Sequence, residues 1–125
     1  MLTVEEVAEH WAFRPDTVRR HIRAKNVDAM RVHRSYRIDW PNVWACEGGR
    51  FPRGRQAQRY QAPLLTKKDL ADHLRVSPRT VERWMKDGLP TRPVFGAVRF
   101  NPHDACDWLN MRFDLSLDPS DFIAS

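Results

Sequence analysis

Cysteine is nearly absent from this chain: Cys46 and Cys106 are the only two, far apart and without a C-x-x-C neighbour. That spacing argues against a disulfide framework and a cysteine zinc site, and both thiols read as small apolar residues in short helices. No apolar run approaches about 18 residues, so no membrane-crossing helix is expected. The chain opens on a helix signal with no basic-then-apolar leader, and the expectation is a soluble protein of the reducing cytoplasm with no membrane partner. Catalytic signals are missing too. There is no Gly-rich phosphate loop, no metal-ligand cluster and no nucleophile with a base at workable spacing, so no enzyme, no catalytic residue, no metal and no cofactor is expected. His10 and His73 lack a second ligand nearby and read as packed or surface histidines.

Acidic residues are absent from one stretch, 49–63, which carries four basic groups. The whole chain has 21 Lys and Arg against 16 Asp and Glu, a net charge of +5. Residues 1–48 hold 8 basic and 7 acidic groups, and residues 64–125 hold 9 of each, so the middle segment carries most of the excess. Within the first part the charge is polarised. Arg14 to Arg37 contains 8 basic and 2 acidic residues, whereas Glu5, Glu6 and Glu9 gather in the helix before it. A basic face over an acidic back suits a polyanionic partner.

What is present is a repeat. A shift of 63 residues lays Leu2-Thr3 on Leu65-Thr66, Ala8 on Ala71, His10 on His73, Pro15 on Pro78, Thr17-Val18 on Thr80-Val81 and Arg20 on Arg83, without a gap from Leu2 to Lys25. Two copies of one small unit follow: residues 1–48 and 64–112, joined by a basic flexible linker at 49–63 and followed by a tail at 113–125.

In the first copy, Thr3 and Glu6 form a capping-box pattern opening a helix to about Trp11, with Val4, Val7, Ala8 and Trp11 on one face. Ala12 and Phe13 make a sharp corner into a second helix, in which Val18 and Ile22 face inward. Asp16, Thr17, Arg19, Arg20 and Arg23 then point outward, and Arg14 stands at a cap position where it cannot cap and can reach a phosphate. Met30-Arg31-Val32, a turn His33-Arg34-Ser35, and Tyr36-Arg37-Ile38 alternate like a two-stranded hairpin, predicting Arg31 and Arg37 on one outer face and Arg34 at the tip. Asp39 is expected to cap a last short helix through Val43 and Trp44.

These residues resemble the MerR-like winged helix-turn-helix domains of phage and mobile-element excisionases, also called recombination directionality factors. The resemblance rests on Leu2-Thr3-x-x-x-Val7-Ala8, Pro15-x-Thr17-Val18-x-Arg20-x-Ile22 and Tyr36-Arg37-Ile38. In the second copy it rests on Leu65-Thr66-x-x-x-Leu70-Ala71, Ser77-Pro78-x-Thr80-Val81-x-Arg83-Trp84-Met85, Gly88-Leu89-Pro90 and Val98-Arg99-Phe100-Asn101-Pro102. It implies a mostly α fold with short β-hairpins (α+β), as tandem winged helix-turn-helix domains, each with a recognition helix for the major groove and a wing for the flanking backbone. By position, the DNA-binding set is Arg14, Asp16, Thr17, Arg19, Arg20, Arg23, Arg31, Arg34 and Arg37 in copy one. Copy two adds Arg79, Thr80, Glu82, Arg83, Lys86 and Arg99. Arginine can bond guanine bidentately, and Glu82 could read a cytosine amino group. Trp84 is expected to lie beneath the wing.

The linker shows no periodicity and is expected to be disordered when free. Within it Pro52-Arg53-Gly54-Arg55 resembles the core of an AT-hook, with Gln56 where that motif has its second proline; a merely solvated basic linker is the alternative reading of Arg53 and Arg55. As a flexible tether, the segment from Glu47 to Ala62 would span at most about 50 Å and place two half-sites about one DNA turn apart. The tail alternates Asp114, Asp118 and Asp121 with Phe113, Leu115, Leu117, Phe122 and Ile123, and either folds back or docks on a partner protein. The expectation overall is a phage or bacterial, nucleoid-associated protein that binds double-stranded DNA in a sequence-specific manner. It would act architecturally as an excisionase, bending attachment-site DNA for a site-specific integrase, with cooperative self-association on DNA. The alternatives are a transcriptional regulator and the DNA-recognition subunit of a phage packaging terminase.

Overall fold

A computed structural model describes residues 1–122; Ile123 of the tail's apolar set lies outside the described residues. The fold is mostly helical with a small three-stranded antiparallel sheet, an α+β arrangement. In chain order the first copy holds β1 (Leu2–Thr3), α1 (Val4–Trp11), α2 (Pro15–Arg23), β2 (Met30–Val32), β3 (Ser35–Ile38) and α3 (Trp40–Ala45). A 3-10 helix, Gly54–Gln61, follows. The second copy holds α4 (Lys67–Leu74), α5 (Pro78–Asp87) and α6 (Pro102–Phe113), and a last 3-10 turn covers Pro119–Phe122. Among the described residues no helix is long and apolar enough to cross a membrane.

The helix starts follow from local chemistry. Thr3 Oγ1 accepts from the Glu6 amide at 3.1 Å while Glu6 Oε1 accepts from the Thr3 amide at 2.9 Å, and these bonds hold the Glu6 carboxyl below its ordinary pKa. Thr66 and Asp69 repeat the box at α4. Ser77 caps α5 through the Thr80 amide at 3.2 Å, whereas Arg14 makes no side-chain cap. Asp39 differs from expectation. It stands at the cap position of α3 but its side chain accepts no bond from the helix.

The two corners share one bonding pattern. Phe13 donates to the Ala8 carbonyl and Val76 to that of Ala71, at 2.9 and 3.0 Å, and Ala12 and Arg75 both adopt the left-handed conformation. Each corner presses an apolar stripe of the first helix on that of the second: Val4, Val7, Ala8 and Trp11 against Val18 and Ile22, and Leu70 and Ala71 against Val81. At about 25 cal/mol per Å² of apolar surface removed from water, such stripes are the main stabilising term of units this small.

The hairpin departs from its sequence reading. Met30 faces Arg37, Arg31 faces Tyr36 and Val32 faces Ser35, so the turn has two residues, His33 and Arg34. A three-residue turn would have paired Arg31 with Arg37. One residue of register reverses every side chain of a strand. Arg31 therefore shares a face with Tyr36 and lies over its ring at 5.5 Å, while Arg37 lies on the other face beside Met30 and Val32, which are 56% and 37% exposed. β1 adds a third strand the sequence reading did not include, with Leu2 opposite Ile38. In the second copy the hairpin shrinks to isolated bridges, Leu65 with Phe100 and Val94 with Ala97, about a tight turn at Phe95-Gly96.

Within the segment at 49–63, where the sequence shows no periodicity, Gly54–Gln61 forms a 3-10 helix with partners in both copies. The Trp44 indole donates to the Tyr60 carbonyl at 3.0 Å, Asn101 Nδ2 donates to the Arg59 carbonyl at 3.0 Å, and the Tyr60 hydroxyl reaches Asp104 at 3.1 Å. Side chains from both copies thus hold it, and none of these contacts leaves a periodic trace in the segment itself. The copies also meet directly. Val94 enters the first core, and the Gly48 amide donates to the Pro93 carbonyl at 2.7 Å. A Cβ on Gly48 would lie 2.7 Å from Pro93 Cγ, so this approach requires glycine. The tail folds back: Phe122 is buried in the second core, and Asn110 both donates to and accepts from the Leu117 backbone.

Candidate nucleic-acid interface

α2 owes its form to Pro15 in its first turn and to the pair Val18 and Ile22, four residues apart, which turn one side to the core. The opposite side carries the expected set. Arg14, Asp16, Arg20 and Arg23 are exposed, and Thr17 and Arg19 are half-buried. Arg19 is held by two carboxylates, Glu5 Oε2 at 2.7 Å and Asp16 Oδ1 at 3.0 Å. Exposed pairs of this kind are worth roughly 0 to 1 kcal/mol, so they position Arg19 without locking it. The acidic helix α1 lies behind α2, and its Glu5 orients an arginine of the outward face.

Beside this face, Arg34 is exposed at the hairpin tip, Arg31 is drawn over Tyr36, and Arg37 Nη1 donates to the Tyr36 carbonyl at 2.9 Å. On α5, Arg79, Glu82, Arg83 and Lys86 are exposed; Thr80 is half-buried, its hydroxyl 3.1 Å from that of Ser77. Glu82 meets Lys67 Nζ at 3.1 Å. Arg53 and Arg55 are exposed, but Gly54 and Arg55 already belong to the 3-10 helix, so the four-residue motif is not the extended strand that an AT-hook needs.

The chain was compared with protein-family models, curated proteins and solved structures, and nothing matches.

Arg99, expected in the outward set, turns instead toward the first copy. Its Nε donates to the Trp11 carbonyl at 2.7 Å, its Nη2 to that of Ala12 at 3.0 Å, and its guanidinium lies 4.9 Å from the Phe13 ring centre. The carbonyls at the end of α1 carry the helix's partial negative charge and lack helical partners of their own, so a half-buried guanidinium from the other copy satisfies them. Burial lowers its pKa. Trp84 likewise packs against Phe113 at the end of α6, at 5.7 Å, rather than beneath a wing.

Three residues behind the interface escaped the sequence reading. Phe95 at the turn of the second copy stacks on His21 of α2, with ring centres 3.9 Å apart and planes 11° from parallel. Burial, and then the Arg20 charge, lowers the His21 pKa, so the ring is neutral at pH 7 beside the exposed Arg20 cation. Glu47, with no exposed side-chain surface, accepts from the Trp11 indole at 2.9 Å, meets His10 Nε2 at 2.9 Å and pairs with Arg92 Nε. Glu47 is the lone acid after α3, and Arg92 is a lone base between two prolines; that isolation was the available signal. Both cysteines are free, and burial pushes their thiols up to about 11.

Proposed function

We propose that the chain is a sequence-specific, double-stranded-DNA-binding architectural protein built as tandem winged helix-turn-helix domains. The observation that carries the reading is α2 itself. Its Val18–Ile22 side is buried while Arg14, Arg20 and Arg23 stand exposed on a scaffold that the second copy supports from behind through Phe95. Arginines held on a rigid helix can meet guanine acceptors bidentately, and those on the hairpin can take phosphates. α5 supplies a second reading helix with a different charge pattern, Glu82 standing where α2 has Arg19.

The ordered segment between the copies gives this reading its architectural content. Two reading helices joined by a tether would sample many site spacings. Two helices joined by a buried ion pair and a shared core present one spacing, and a duplex that does not match it must deform to meet both. Such a factor would prepare attachment-site DNA for an integrase, as an excisionase does, without a reaction of its own. The test is selection of bound sequences from random duplexes, followed by a salt titration of the winner. Neutralising Z phosphates gives a log-log slope of about −0.9Z, and several arginines per copy call for a slope of about −5 or steeper. A slope near zero, or no enriched sequence, would sink the proposal. Stimulation of excision by a partner integrase, as against repression of a promoter, would then separate an excisionase from a transcriptional regulator.

A further inference from the structure

Away from α2, the segment after Gly49 and the loop at Pro90–Arg92 enclose a cleft of about 940 Å³. Four arginines line it, Arg50, Arg53, Arg59 and Arg92, against a single carboxylate, Asp104. Two of these cations are already matched: Arg92 by the buried Glu47, and Arg59 by Asp107 at 2.6 Å. Arg50 and Arg53 have no carboxylate partner among the described residues. Arg92 is a built element of the wall. Its side chain is 4% exposed, its Nη1 donates to the carbonyls of Gly48 and Arg50 at 3.3 and 2.8 Å, and its guanidinium lies 4.6 Å from the Tyr60 ring centre. Its Nη2 is buried with no hydrogen-bond partner, and so is Nε of Arg59. A buried donor left unsatisfied costs about 1 to 3 kcal/mol, so this wall carries donors that the fold itself does not satisfy.

The rest of the lining is chemically uneven. Phe51 stands at the mouth 42% exposed, in T-shaped contact with Trp44 at 6.1 Å, and the exposed Arg53 side chain, whose guanidinium lies 6.0 Å from its ring centre, would have to turn toward the phosphate for a ligand ring to stack there. Asp104, already accepting from the Tyr60 hydroxyl, is an acceptor at another wall. We propose that this cleft binds a nucleotide-sized phosphate ester, its phosphate on Arg50, Arg53 and Arg92, its ring against Phe51 and its hydroxyls toward Asp104. The cleft has the size of small-molecule sites, and arginine forks suit phosphate oxygens. Asp104 and the neighbouring Asp107 would repel a continuous phosphodiester backbone but not a single phosphate seated at the arginine end. The assignment does not depend on the DNA reading.

Isothermal titration of the full chain with AMP, and separately with inorganic phosphate, tests it. The expected result is saturable one-to-one binding of AMP, weaker competition by inorganic phosphate, and a loss of at least tenfold in affinity in Arg53→Ala and in Arg50→Ala, whose side chains are exposed and can be removed without unfolding. Arg55→Ala, in the same segment but outside the cleft, should change AMP affinity less than twofold. Arg20→Ala should leave it unchanged whether or not the chain binds DNA. No saturable AMP binding, or an equal loss in Arg55→Ala and Arg53→Ala, would overturn the proposal. A duplex-DNA affinity that falls in Arg50→Ala and Arg53→Ala but not in Arg55→Ala, with no binding of AMP, would assign the cleft to a DNA phosphate and overturn it as well.

Discussion

Glu47 and Arg92 form a buried ion pair across the seam between the two copies, and Glu47 also accepts from Trp11 and meets His10. Removing one partner of such a pair leaves a charge in a low-dielectric interior without compensation, at a cost of about 3 to 5 kcal/mol. Glu47→Ala should therefore take a large share of a domain stability that is only about 5 to 15 kcal/mol in total. Urea denaturation checks it, and Glu47→Gln combined with Arg92→Met, which removes both charges, should recover much of the loss. If Glu47→Ala unfolds at the same midpoint as the parent, the seam is not held as described.

The His21–Phe95 stack predicts a pH dependence. The folded His21 pKa is lowered by burial, so as pH falls the unfolded chain takes its proton first, near 6.5. Stability from this group is complete above about pH 6.5 and declines as pH drops toward the lower folded value. His103, also lowered by burial, adds a decline of the same sign. His21→Phe keeps the stack and removes the titration, so its melting temperature should fall less than the parent's between pH 7.5 and 5.5. Identical slopes would assign the acid-side loss elsewhere.

On α2, Arg20→Ala should leave folding intact and weaken specific DNA binding by about 1 to 3 kcal/mol if the side chain reads a base. Arg19→Ala should cost less, because Glu5 and Asp16 already offset its charge. Val18→Asp should unfold the first copy, since Val18 is fully buried and a carboxylate there has no partner. Circular dichroism and fluorescence anisotropy on the same samples separate the outcomes; loss of fold in Arg20→Ala would mean that the helix is rotated from the orientation described.

Arg99 should behave as a structural residue. Bonds from a charged donor are worth about 1.5 to 3 kcal/mol each, so Arg99→Ala should lower the denaturation midpoint clearly. DNA affinity of the folded protein should hardly change. The reverse pattern, normal stability with weakened binding, would return Arg99 to the DNA-facing set.

The ordered connection between the copies predicts strict spacing. Inserting about half a turn of DNA, roughly 5 base pairs, between the two half-sites should cut affinity at least tenfold, because the second helix would then face the wrong side of the duplex. Footprinting on phased spacers reads this directly. Equal affinity at every phase would fit the flexible tether expected from sequence and not the packed seam.

Much of each copy was legible because its determinants are local. The capping box at Thr3, the corner after Trp11 and the inward pair Val18–Ile22 are set by residues a few positions apart, and helix geometry converts such spacings into faces without help from the rest of the chain; the 63-residue shift carries them to the second copy. The hairpin was half legible. Its strands could be placed from alternation, but the face each arginine takes depends on whether the turn has two residues or three, and nothing in His33-Arg34-Ser35 decides that; the pairing of β3 with β1 and the core demand of Ile38 do.

Sequence by itself determined the duplication, the helices, their buried stripes and the arginine face of α2, since each is a matter of periodicity and charge within a few turns. Tertiary structure alone decided which cations remain outside. Arg99 and Arg92 look like Arg20 in composition, yet one satisfies the end of α1 and the other pairs with Glu47 across the seam. It also decided that residues 54–61 form a 3-10 helix, because their partners, Trp44, Asn101 and Asp104, are supplied from distant positions. The physical reason is the same in each case. A guanidinium stays in water unless partners offset its desolvation, and an aperiodic segment sets no face of its own, so each is placed by the carboxylates, carbonyls and rings that a folded chain brings within about 3 to 6 Å.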